Sequence, residues 1–236
     1  LWALAAGYAA RMVPEHLQGR AIAIAMVGAP LALPLGIPTG TFLGTLLGWR
    51  WTFGVMSGLT VLLVAWVLVS VPDFPGQKRG QEFGLKTVFT LPGVRPVLFV
   101  VFAYVLAHNT LYTYIAPFLT NHAGIVGPWL AATLVVSGIG SAIGNQLGGI
   151  ASDRFGPERT LSVVLTVLAT ALFTASLIAV SLPPALAIWP IPFVLLVWSA
   201  AGWAGHPSQM SRLAAMAPDA AVVALSLNAS ALYFGI

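Results

Sequence analysis

The chain has no cysteine, and of its 236 residues only 7% are charged. The first absence excludes disulfides, thiolate metal sites and cysteine nucleophiles. The second excludes an ordinary soluble domain, in which about 25% of residues carry charge. With 58% hydrophobic residues and a mean hydropathy of +0.93, the chain reads as an integral membrane protein. Several chemical signatures are missing as well. No G-x-x-x-x-G-K-S/T loop occurs, which excludes transport driven by this chain's own ATP hydrolysis, and neither His-Glu-x-x-His nor G-x-S-x-G is present. Histidines 16, 108, 122 and 206 are dispersed, with no two spaced as helical metal ligands. No enzyme, metal or cofactor is expected. The sequence pI of about 9.9 has a topological rather than a nucleic-acid explanation, because no basic patch interleaves with aromatics on a polar surface. Leu1 is not an initiating Met and no signal-peptide layout follows it, so the first residues read as the middle of a helix and the chain as a fragment.

What is present is a set of long uncharged runs. Pro96 to Ser152 is 57 residues and Thr160 to Ser211 is 52, each with room for two membrane helices of about 20 residues and a turn. The divisions are expected at about Asn121 to Gly127 and Ser181 to Pro184. Ala21 to Trp49 and Trp51 to Pro72 supply one span each, joined by the Gly48-Trp49-Arg50-Trp51 turn, whose tryptophans suit an interfacial belt. Leu1 to Ala10 reads as the second half of a helix, and a loop at about Gly205 to Asp219 precedes a last, incomplete span. The expected fold is all-α and polytopic, with six full helices and two partial ones. Numbering the loops alternately puts nine of the ten basic residues on one side, with only Arg50 opposite, and that side is therefore cytoplasmic.

The two longest runs are joined by Gly149-Ile-Ala-Ser-Asp153-Arg154-Phe-Gly156-Pro-Glu158-Arg159. Gly149 permits close helix approach, Asp153 can accept from a helix N-terminus or an arginine, and Arg154 and Arg159 suit the headgroups. This turn resembles the cytoplasmic loop signature G-x-x-x-D-R/K-x-G-R-R/K of the major facilitator superfamily, in the copy between helices 8 and 9. Pro157 and Glu158 stand where the family's stronger copy is basic. The order of elements is similar to helices 4 to 11 of such a twelve-helix transporter. The resemblance thus implies the end of an N-terminal half over 1–72, a central cytoplasmic loop over 73–95 and a C-terminal half over 96–236, with helices 1 to 3 and 12 absent. It also implies that Gly149, Asp153, Arg154, Gly156 and Arg159 form a cytoplasmic gate.

The first span carries small residues at a step of four, including Gly28, Gly36, Gly40, Gly44 and Gly48, beside Pro30, Pro34 and Pro38. It resembles the helix 5 antiporter signature: Gly36, Gly40 and Gly44 match, while Thr41 and Thr45 replace a proline and a glycine. Packing alone also accounts for these glycines. With Ile37-Pro38-Thr39-Gly40, the pattern is similar to the arabinose-efflux and drug/proton-antiporter branch.

Tyr104, His108 and Tyr112 share one helical row, with Asn109 and Thr113 beside it. A polar stripe inside an apolar run is expected to face a cavity or another helix rather than lipid. His108, with an ordinary pKa of about 6.5, is suited to carry protons, or equally to bridge two helices as a neutral ring. Asn145 and Gln146 are expected to line the same cavity or to pack. Trp198 and Trp203 suit either substrate stacking or packing, and Asn228 is a further pore-lining candidate. The resemblance implies an exporter of a drug-like compound or sugar in exchange for protons, working in a lipid bilayer, multi-pass in a bacterial cytoplasmic membrane and monomeric at full length. A same-fold importer or facilitator, and a non-transporting fragment or sensor, remain alternatives.

Overall fold

The computed structural model describes residues 2–32, 36, 39–40, 43–44, 46, 48–72 and 84–236. Among them are eleven α-helices and no strand. In chain order they are α1 (Trp2–Arg11), α2 (Gln18–Met26), α3 (Gly28–Leu31), α4 (Trp49–Ser70), α5 (Leu85–Phe89), α6 (Val94–Ala123), α7 (Pro128–Phe155), α8 (Pro157–Ser181), α9 (Pro184–Ala187), α10 (Pro190–Met216) and α11 (Ala221–Gly235). The chain divides into two units, one of residues 1–31 and 83–236 and the other of 32–82.

The expected six full helices with a partial one at either end are not what is found. Four stretches among the described residues are long and apolar enough to cross a membrane: α4, Val94–Thr113 of α6, α7 and α8. Within the span expected from Ala21, α2 ends at Met26 and α3 covers Gly28–Leu31, while 33–35, 37–38, 41–42, 45 and 47 lie outside the described residues. The loop expected from Gly205 is instead helix, since α10 runs unbroken to Met216 with Pro207 inside it. Burial accounts for that difference. Ser208, Gln209, Met210 and Leu213 are all buried, and the Ser211 hydroxyl donates to the Pro207 carbonyl at 2.8 Å. Tertiary packing thus overrides the turn signal of Gly205-His206-Pro207.

Elsewhere the chain's own punctuation sets the ends. α6 stops at Gly124, left-handed at φ +64°, where the Ile125 N–H reaches back to the Leu119 carbonyl at 3.0 Å. α7 and α8 both begin with proline, which has no N–H to leave unpaired at a first helical position. In the smaller unit, α4 has no buried residue, and Arg50 lies 5.2 Å from the ring centroid of Trp49. At 22 residues α4 is long and apolar enough to cross a bilayer.

The larger unit packs about α10. Val101, Tyr104, Leu119, Leu168, Leu195 and Trp198 belong to one core drawn from α6, α8 and α10. Its tightest seam joins α7 to α10: a Cβ at Gly144 would overlap the Ala200 carbonyl, one at Gly148 the Ala204 carbonyl, and one at Gly140 the Leu196 side chain. Glycines at a step of four meet residues at a step of four, so two backbones touch. Helix ends gather by the same packing. Gly93, before α6, abuts Met216 at the end of α10, and Arg212 of α10 pairs with Glu158 of α8 at 3.1 Å. Polar residues facing outward satisfy themselves: the Ser162, Thr166 and Thr170 hydroxyls donate to carbonyls four residues back at 2.8 to 2.9 Å.

Because backbone blocks the space beside Gly144, Gly144→Val is expected to cost at least ~2 kcal/mol. Leu147→Val, at a position 57% exposed, is expected to change stability by less than ~0.5 kcal/mol. Thermal unfolding of the two variants in detergent micelles checks the difference.

Candidate functional site

Helix α2 begins without a cap of its own. Its N-cap position is Leu17, which makes no side-chain cap hydrogen bond, so the first N–H groups need an acceptor from elsewhere. Asp153, from the last turn of α7, supplies it. The Gly19 N–H donates to Asp153 Oδ1 at 2.7 Å and the Arg20 N–H to Oδ2 at 3.0 Å. The Arg20 side chain adds an ion pair, with Nε 3.7 Å from Oδ2. The carboxylate is only 7% exposed while the arginine side chain is 49% exposed. A negative charge therefore sits, shielded from solvent, on the positive end of a helix that lies more than 130 residues away in sequence.

The approach is possible because two glycines face each other. A Cβ on Gly19 would meet Asp153 Oδ1 and the Gly149 carbonyl at 2.6 Å, and one on Gly149 would meet the Gly19 carbonyl and the Ala23 Cβ at 2.6 Å. Gly156 ends α7 at φ +86°, a conformation that L side chains rarely adopt, and turns the chain into α8. Arg154 and Arg159 are exposed, with Arg154 stacked 5.4 Å from the ring centroid of Phe155. Of the five gate candidates, Gly149 and Asp153 thus meet α2, Gly156 shapes the turn, and the two arginines face outward.

The polar row of α6 lies against α10. The His108 ring stacks on Trp198, with centroids 4.4 Å apart and planes 17° from parallel, and Tyr112 follows at 6.5 Å. Gly202 makes room for it, since a Cβ there would overlap the imidazole. One turn away, Tyr104 meets the His206 ring edge-on at 5.5 Å, and His206 also lies 5.0 Å from Trp203. Tyr104 Oη, His108 Nδ1 and Trp198 Nε1 are buried and have no hydrogen-bond partner among the described residues. Such an atom costs about 1–3 kcal/mol in protein interiors, so three in one aromatic row are a concentration of unmet hydrogen-bonding capacity.

The other candidates disperse. Asn109 is half-buried and donates to its own helix at Val105 O, 3.1 Å away. Asn228, on α11, is buried with Oδ1 unpartnered, and no hydrogen bond joins it to the α6 row. Its neighbours Ser226 and Ser230 on α11 are exposed and donate to their own backbone. Within their own units, a Cβ added at Gly28, Gly36 or Gly40 meets nothing within 4 Å, and one at Gly44 only Thr52 Oγ1 at 3.8 Å. Pro34, Ile37, Pro38, Thr41 and Thr45 of the antiporter-like pattern lie outside the described residues, as do Asp73, Lys78, Arg79 and Glu82 of the expected central loop. His206 is the residue that sequence reading missed. It continues the step-of-four row of Trp198 and Gly202 on α10 that meets His108, but the proline after it reads as a loop.

Removing the carboxylate by Asp153→Ala takes away two helix-terminus hydrogen bonds and is expected to cost about 1 kcal/mol. Arg20→Ala, which removes a long and half-exposed ion pair, is expected to cost less than ~0.5 kcal/mol. Melting of the purified protein in one detergent ranks the two, and equal losses would assign the contact to the ion pair instead.

Comparison with known proteins agrees with this architecture. A family model described as Major Facilitator Superfamily matches residues 1–236. The family is thus the expected one, while the expected count of six full and two partial helices gives way to eleven α-helices among the described residues, with four stretches long and apolar enough to cross a membrane. An uncharacterized MFS-type transporter of Bacillus subtilis (strain 168), YbcL, is 31% identical over 228 residues, covering 97% of this chain and 57% of the relative. The chain thus spans somewhat more than half the length of that relative. All-α, with apolar helices long enough to cross a bilayer and the family's model matched throughout, the chain belongs to the major facilitator superfamily of membrane transporters and is not an enzyme.

Proposed function

We propose that the protein carrying this chain is a secondary active transporter that exports a small organic molecule, drug-like or sugar, in exchange for protons by alternating access. The observation that carries the reading is the Asp153 carboxylate on the two N–H groups that open α2, at 2.7 and 3.0 Å. It is a contact between distant parts of the chain, and it consists of few, strong, charge-assisted bonds beside a small-residue seam. Such a joint is firm when made and can separate without unfolding either helix. In this reading it latches the cytoplasmic side, with Arg154 and Arg159 held toward the headgroups.

The proposed substrate and proton path runs along Tyr104, His108, Asn109 and Tyr112 of α6, with Asn228 as an accessory. Support comes from the unpartnered polar atoms of Tyr104 and His108, which contrast with the self-satisfied hydroxyls on α8. Polar groups left unsatisfied in an apolar setting are the ones expected to engage a ligand or a proton. Export and antiport rest on the likeness of Gly36, Gly40 and Gly44 to the helix 5 antiporter pattern. In the proposed division, 1–72 closes the N-terminal half, 73–95 is the cytoplasmic central loop and 96–236 belongs to the C-terminal half. The working form is a monomer in the bacterial cytoplasmic membrane, with lipid around it.

Everted membrane vesicles with an acid interior, monitored by an acridine dye, test this. A panel of organic cations and sugars is added to vesicles containing the complete protein. At least one compound is expected to dissipate the pH gradient, with the rate reduced at least about tenfold by His108→Ala and less by Asn228→Ala. Uptake that ignores the gradient would favour a facilitator, and expulsion driven by the acid interior would favour an importer. Either result overturns proton-coupled export.

A further inference from the structure

Asn145, Gly149 and Asp153 lie on one row of α7 at a step of four, and all three meet α2. The Asp153 end of the row holds the first turn of α2, as described above. Gly149 lies between Gly19 and Ala23. At the other end, Asn145 Nδ2 donates to the Ala23 carbonyl at 2.8 Å, and Gln146 Nε2 donates to the same oxygen at 3.1 Å.

That carbonyl is a particular one. α2 stops at Met26, and the N–H of Val27 bonds back to Ile24 O at 3.4 Å rather than to Ala23 O. The helix therefore breaks where the Ala23 carbonyl would have received its own intrahelical donor, and the two amides of α7 take the place of that donor. Neither residue is needed there for packing alone. Asn145 is fully buried, and its Oδ1 has no partner. A leucine would fill similar space without burying that acceptor but would remove the donor to the Ala23 carbonyl, so the amide is there for its hydrogen bond rather than for its volume.

We infer that Asn145 and Gln146 are a second latch, which together with Asp153 grips both ends of α2 and sets how firmly the cytoplasmic side stays closed. The inference rests on the reading of Asp153 as a gate residue. Chemically the two ends are complementary: a carboxylate accepts from the unpaired N–H groups at the start of α2, and two amides donate to the unpaired carbonyl at its end. The grips are roughly 12 Å apart along α7. Two separated grips resist both sliding and tilting of the short helix, whereas Asp153 alone would leave it free to pivot. In this role Asn145 and Gln146 are positioning residues that touch neither substrate nor proton.

The absence of cysteine makes the test direct. Ser152 is 4% exposed and lies under Gly19, so α2 covers it. Ala171, 5% exposed in the α6, α8 and α10 core, is far from α2 in the packing and serves as a control. Single Ser152→Cys or Ala171→Cys is placed in the complete protein in native membranes, alone or with Asn145→Leu or Gln146→Leu, and the rate of maleimide labelling is measured. Loss of one such hydrogen bond is expected to raise labelling at position 152 by about fivefold, with position 171 unchanged. Gln146→Leu, at a half-buried position, gives the same reading should Asn145→Leu not reach the membrane.

Unchanged labelling at 152 in both variants would overturn the second latch. Equal rises at 152 and 171 would also overturn it, because they would make the amides general supports of the fold. The readout needs no substrate. A protein that shows no proton-coupled flux but accelerated labelling at 152 would therefore refute the export reading while leaving the two-ended grip in place.

Discussion

The interaction on which the rest depends is a carboxylate placed on a helix start that cannot cap itself. Leu17 offers α2 no side-chain acceptor, and the Gly19 and Arg20 N–H groups have no partner within their own helix. Asp153 resolves this from α7, 133 to 134 residues later in the sequence. The geometry imposes further demands. The two backbones can meet only if neither carries a Cβ at the crossing, hence Gly19 against Gly149. α7 must end cleanly after Asp153 for the chain to turn into α8, hence Gly156 at φ +86° and Pro157 opening α8. Three of the five motif positions, Gly149, Asp153 and Gly156, thus serve one contact, which Gly19 of α2 completes.

The same logic separates the two polar systems of the molecule. Along the α2–α7 seam nearly every polar group is answered: carboxylate by N–H, amide by carbonyl. Along the α6–α10 row it is the reverse: His108 stacks on Trp198 and Tyr104 meets His206 edge-on, yet Tyr104, His108 and Trp198 hold unpartnered polar atoms. A satisfied seam specifies one arrangement of helices, and an unsatisfied row has hydrogen bonds to offer. That contrast places the proposed joint on α7 and the proposed path on α6.

How much of this was legible in the sequence depended on whether the cause was local. The long helices could be read because charge-free runs, Gly124, Gly127, Gly156 and the prolines after them are local signals, and the 57- and 52-residue runs divide near where α6, α7, α8 and α10 end and begin. The polar row of α6 could be read from its period. Three things could not. The C-terminal part of α10 was taken for a loop because Gly205-His206-Pro207 is a turn signal, while the burial that keeps it helical comes from other helices. The early end of α2 within an apolar run carried no mark beyond Pro30. The partners of Asn145 and Gln146 lie more than 120 residues away, so their type suggested a bond but not its acceptor. The glycine row Gly140, Gly144 and Gly148 is legible as a step of four, but not the α10 residues Leu196, Ala200 and Ala204 that it meets.

The central claim, that the Asp153 carboxylate holds the start of α2, is tested most directly by amide hydrogen exchange over residues 18–21 of the complete protein in lipid nanodiscs. In the native protein the Gly19 and Arg20 amides are expected to exchange slowly. In Asp153→Asn, whose neutral amide side chain is a weaker acceptor of similar shape, exchange of these two is expected to quicken by about tenfold, as loss of about 1.4 kcal/mol of charge-assisted bonding implies, while the α7–α10 seam stays protected. Equal protection of Gly19 and Arg20 in both proteins would contradict the account, because α2 would then be held by something other than the carboxylate.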